Sequence, residues 1–120
     1  MNAQTLNVAE PNVMQASDGS VARVIVIPAQ AGLDPITVCV FDYQPGRGKI
    51  IIECFSDAWC AFFNGMGGVD VREFIGRVDA DYLANRMRGS MESKGANRMR
   101  YLRRVAQAVI IAMKARMVTE

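Results

Sequence analysis

Ile36-Thr37-Val38-Cys39-Val40-Phe41-Asp42-Tyr43, then Gln44-Pro45-Gly46-Arg47-Gly48, then Lys49-Ile50-Ile51-Ile52-Glu53-Cys54-Phe55: this stretch decides the fold. Two runs rich in β-branched residues flank a turn sequence, and β-branched side chains suit a pleated, extended backbone. Pro45 presets φ at the first corner of a type II turn, and Gly46 accepts the positive φ needed at the second. The reading is a β-hairpin. Side chains alternate across a strand, so Ile36, Val38 and Val40 share one face, and Ile50, Ile52 and Cys54 share one face of the next strand. These six look into a core. The opposite positions, Thr37, Cys39, Phe41 and Tyr43 with Ile51, Glu53 and Phe55, are too apolar for a fully wet face, so a helix or a partner is expected to cover them.

Working outward, Val21 to Ile27 is a third β-branched run, stopped by Pro28. Residues 1–20 lack periodicity and are broken by Pro11 and by Ser17-Asp18-Gly19-Ser20, which reads as a loosely held arm ending in a turn. Downstream the pattern turns helical. Ser56 is a candidate N-cap for a helix over Asp57 to Asn64, ended by Gly65-Met66-Gly67-Gly68. Asp70 and Glu73 have capping-box spacing before a short helix from Val71 to Val78, and Asp79 caps a third segment, Ala80 to Arg88, closed by Gly89. Gly89 to Ala96 reads as a linker. From about Asn97 to Val118, Leu102, Val105, Ala106, Val109, Ile110, Met113 and Met117 recur at intervals of three and four, the stripe of an amphipathic helix. Strands first and helices after give an α+β fold: an antiparallel sheet of about three strands with three to four helices packed on it.

The composition agrees with one such domain, over residues 21–120. At 120 residues, 51% hydrophobic and 22% charged, the chain can bury a core without disulfides or metal, and no apolar stretch reaches membrane-spanning length. The start of the chain lacks the basic residues and apolar core of a secretory signal, and three cysteines are an odd count, so a reducing cytoplasm is expected. The net charge of +2 is unevenly placed. Residues 1–80 hold five Lys and Arg against nine Asp and Glu, whereas residues 81–120 hold nine against three.

No histidine is present, which excludes Ser-His-Asp and Cys-His nucleophile systems and the HExxH zinc pattern. Cys39, Cys54 and Cys60 lack metal-ligand spacing and read as small hydrophobes, with Cys39 and Cys54 on neighbouring strands. Neither a metal nor a cofactor is expected. Asp42, Glu53 and Asp57 are the only carboxylates that the hairpin could gather for acid–base work, and capping or solvation explains them equally well. Gly65-Met66-Gly67-Gly68 follows a predicted helix and lacks the Gly-Lys-Ser/Thr ending of a phosphate loop, so it reads as a turn. Two clusters remain. Trp59, Phe62 and Phe63 lie within five residues and fit either a core or a protein-binding face. Arg98, Arg100, Arg103 and Arg104 on the last helix can pair with an acidic protein or with phosphate, or stand in solvent.

Gly48-Lys49-Ile50-Ile51-Ile52-Glu53-Cys54-Phe55, Ala58-Trp59, Gly65-Met66-Gly67, Val71-Arg72-Glu73-Phe74-Ile75 and Asp81-Tyr82-Leu83-Ala84 together resemble a family of small proteins encoded by tailed bacteriophages and prophages. The resemblance spans about residues 48–84 and brings no activity or catalytic residue with it. It implies a phage accessory protein made in the bacterial cytoplasm. Joined to the missing catalytic groups, the two-sided charge and the aromatic cluster, it leads to the expectation of a non-enzymatic protein. Such a protein would bind a host or phage macromolecular complex, as an inhibitor of a host defence or replication component, and self-association is compatible with its two-sided charge. The alternative is a nucleic-acid-binding protein using Arg98, Arg100, Arg103 and Arg104.

Overall fold

Each strand lies beside its sequence neighbour, so the sheet is a meander in the order β1-β2-β3-β4-β5 with every pairing antiparallel. The computed structural model describes residues 13–17, 19–88 and 95–119, with side chains up to residue 115. The strands are β1 (Val13–Gln15), β2 (Val21–Ile27), β3 (Ile36–Gln44), β4 (Arg47–Cys54) and β5 (Asp57–Phe63). Three helices follow: α1 (Val71–Ile75), α2 (Ala80–Arg88) and α3 (Ala96–Thr119). The α+β class stands, with five strands where about three were expected.

The central hairpin forms as its sequence dictates. Gly46 takes φ +83°, the type II corner, and the register runs from Ile36 opposite Cys54 to Asp42 opposite Gly48 before a bulge at Tyr43. Ile36, Val38, Val40, Ile50, Ile52 and Cys54 are all buried, at 1% exposure or less, and make the floor of the core. Across them lies α3, whose Leu102, Val105, Ala106, Val109, Ile110 and Met113 are buried as the stripe predicts; the Met117 side chain is outside the described ones. Helices α1 and α2 flank α3 on the same side of the sheet. Asp70 accepts the Glu73 N–H at 2.9 Å and Asp79 accepts the Tyr82 N–H at 2.8 Å, so both expected caps form. Helix α1 stops at Ile75, sooner than Val78, because the Arg77 and Val78 N–H groups turn to the Phe74 and Ile75 carbonyls in tighter i→i−3 bonds.

Two expectations need correction. Asp57 to Asn64 is not a helix but the fifth strand, joined to β4 by the two-residue turn Phe55-Ser56, so Ser56 caps nothing. A Trp59/Phe63 pair shares one side in a helix as i, i+4 and in a strand as alternate positions, so the apolar spacing alone does not separate the two. Pairing decides: as a strand the segment satisfies the open edge of β4 along its length, from Gly48 opposite Phe63 to Cys54 opposite Asp57. The arm is the second correction, since Val13–Gln15 pairs with Val21–Arg23 as edge strand β1. Residues 1–12 and the linker residues 89–94 lie outside the described ones.

Candidate interaction surface

All three helices pack on one face of the sheet, and among the described residues nothing lies over the other. Register places its side chains in cross-strand rows. Val26, Thr37, Glu53 and Ala58 form one; Val24, Cys39, Ile51 and Cys60 the next; Met14, Ala22, Phe41, Lys49 and Phe62 the third. Met14 is 73% exposed, Val26 58% and Phe62 41%, and Val24 and Tyr43 are exposed beside them. The face stays apolar to its charges, since the Lys49 ammonium lies 4.9 Å from the Phe41 ring centre and the Arg47 guanidinium 5.9 Å from that of Phe62.

The aromatic cluster divides across the sheet because β5 is a strand. Trp59 and Phe63 point inward, Trp59 with its ring 6.2 Å from Tyr101 and Phe63 with its ring 5.2 Å from Phe74. Both are buried and serve the core. Phe62 alone points outward, beside Tyr43 at 6.2 Å. Of the three sequence candidates, Phe62 belongs to the open face.

The four candidate arginines of α3 meet four different partners. Arg98 pairs with Asp57 at 3.4 Å and lies over the Trp59 and Tyr101 rings. Arg103 reaches Asp81 at 3.6 Å, and Arg104 donates to the Ala31 carbonyl oxygen at 2.8 Å. Arg100 bonds Asn97 on its own helix at 2.7 Å. The basic half of the sequence thus closes partly on the acidic half within one molecule. Each of the four has a partner within the molecule.

Nor do the carboxylates gather. Asp42 faces the core side at one end of the hairpin, Glu53 faces the open side near the other, and Asp57 is held by Arg98. Asp42 borders a shallow cleft of about 470 Å³ with Arg23, Tyr43, Asp70 and Glu73. Its Oδ1 accepts the Val71 N–H at 2.8 Å and its Oδ2 meets Arg23 at 3.3 Å, while burial pushes its carboxyl above the ordinary 3.8. Asp70 caps α1 and Glu73 pairs with Arg77, so each acid in the cleft already has a structural partner. Cys39 and Cys54 occupy adjacent strands but opposite faces, and among the described residues no three metal-ligating side chains cluster.

Phe55 and Ser56 both take positive φ, 50° and 69°, and Phe55 is 72% exposed at the β4–β5 corner. A bulky side chain in the left-handed region is costly, and such strain gathers at working surfaces. A hairpin here lacks the Asn-Gly or Asp-Gly signal that would have revealed it.

A family model described as a phage family matches residues 14–120, nearly the whole chain. No curated protein matches the chain. No solved structure matches it either.

Proposed function

Because the chain belongs to that phage protein family, we propose that it is a non-enzymatic accessory protein that works by binding another protein through the open face of its sheet. The observation that carries this reading is the exposure of Met14, Val24, Val26 and Phe62 on one face of a sheet whose opposite side already holds the core. A host or phage macromolecular complex is the target, and inhibition of a host defence or replication component requires only that a surface be occupied. No group transfer is needed, in keeping with a cleft whose acids each have a structural partner. The bacterial cytoplasm is the compartment, where Cys39, Cys54 and Cys60 persist as thiols.

The test is affinity capture from host lysate at near-physiological salt with the intact chain and with Val26→Arg and Phe62→Arg. Both substitutions place a charge on the exposed side and leave the core untouched. A defined protein recovered with the parent chain and lost with both variants supports the reading; equal recovery with all three refutes it.

A further inference from the structure

Strand β4 presents Arg47, Lys49, Ile51 and Glu53 on the open face, with Arg47 at the rim and the other two charges opposite in sign and equidistant from Ile51. We propose that the first occupant of this face is a second copy of the chain, stacked face to face about a two-fold axis that crosses the strands at Ile51. The proposal rests on the reading of the open face as a contact surface, and it names the partner. A half-turn about that axis reverses β4 on itself and sets Lys49 of each copy against Glu53 of the other. It also lays the Ala22, Phe41, Lys49, Phe62 row over the Val26, Thr37, Glu53, Ala58 row. Large then meets small: Phe62 over Ala58, Phe41 over Thr37, Val26 over Ala22.

The competing axis, parallel to the strands, fails on the same residues. It would stack Lys49 on Lys49, Glu53 on Glu53, and the two rings Phe41 and Phe62 on each other across sheets only about 10 Å apart. Charge and size therefore select one arrangement. Four strands of about seven residues give roughly 440 Å² of flat face per copy, or about 900 Å² for a pair before side-chain relief is added. That lies just below the ~1,000 Å² that a stable interface clears and suits a weak dimer that a target can displace. In such a dimer the face is covered until a target protein displaces the second copy, so self-association and target binding compete.

The row on the axis supplies an independent reading. Cys39, Ile51 and Cys60 each fall opposite their own copies, and Cys60 is exposed. The two Cys60 Cα atoms then face each other about 10 Å apart, too far for a direct disulfide but within the span of a short bis-maleimide, each of whose two double bonds adds one thiol S–H.

The experiment is sedimentation equilibrium of the full chain over a concentration series, with far-UV circular dichroism confirming that every variant is folded. The parent chain is expected at twice its 13.2 kDa. Glu53→Lys alone and Lys49→Glu alone each weaken the dimer about tenfold or more, and the two together restore it, because the exchanged charges again meet their opposites. Should a charge variant not fold, cross-linking of the parent chain by a short bis-maleimide, lost on Cys60→Ser, gives the same information. A parent chain that stays monomeric, a double exchange no stronger than the single ones, or cross-linking indifferent to Cys60→Ser overturns the dimer. If the chain is monomeric yet loses its target with Phe62→Arg, the proposed function stands without the dimer. If it is monomeric and Phe62→Arg changes nothing, both fall.

Discussion

Asp42 on β3 accepts the backbone N–H of Val71, the first residue of α1, at 2.8 Å across 29 positions of chain. The bond ties a helix start to the sheet, and Arg23 and the buried Arg72 oppose the burial that raises the Asp42 carboxyl. Asp42→Ala removes the acceptor and is expected to cost about 1–2 kcal/mol of unfolding free energy in urea.

Asp42→Asn keeps an acceptor for Val71 while removing the charge, and its effect is expected to depend on pH. A carboxyl raised above 3.8 in the fold holds its proton more tightly folded than unfolded. Its contribution favours the fold below 3.8 and is lost as pH rises through the folded value. Relative to the parent chain, Asp42→Asn should therefore gain stability between pH 4 and pH 7. Urea unfolding at the two pH values checks this, and a relative loss would contradict it.

At Gly48 the close approach of α1 leaves no room for a side chain. A Cβ would meet the Val71 side chain and would lie 2.5 Å from the Phe41 carbonyl oxygen. Gly48→Ala is expected to cost about 1–3 kcal/mol, read as a lower midpoint of thermal or urea unfolding.

The strained corner offers the opposite outcome. Replacing Phe55 by Asn and Ser56 by Gly supplies the residues that a turn with two positive φ angles prefers, and should stabilise the fold by about 1–2 kcal/mol. Where Phe55 helps to grip a target, the same double variant captures less of it despite its greater stability.

How far the sequence could be read differs from element to element, for physical reasons. The hairpin, the α3 stripe and the caps Asp70 and Asp79 rest on local chemistry, and each is found where its residues put it. In strand β5 the Trp59/Phe63 spacing satisfies both the helical and the extended period, and what excludes the helix is the long-range pairing with β4. Strand β1 is three residues long, too short for any period to register. The excess apolarity of the second sheet face was visible from Cys39, Phe41 and Ile51. That Phe62 joins this face while Trp59 and Phe63 leave it depended on the strand assignment. The arginines were legible as a run but not as tethers, since Arg98 and Arg104 meet partners 41 and 73 positions away.

Those tethers bear on nucleic-acid binding. Arg104→Ala gives up the bond to the Ala31 carbonyl and should cost about 1 kcal/mol of stability. A mobility-shift assay at low salt is expected to show no retardation of DNA or RNA. A shift that falls steeply with salt and disappears on Arg100→Glu with Arg104→Glu would favour the nucleic-acid alternative instead.

The central claim is that the open sheet face is where this phage protein meets other proteins. Its most direct measurement is site-specific photo-cross-linking in infected cells, with a benzophenone side chain placed at Phe62 or Val26 on the face and, as control, at Ile111 on the exposed side of α3. Discrete protein adducts at positions 62 and 26, and none at 111, are the expected result. Adducts at 111 with none at either sheet position would contradict the account.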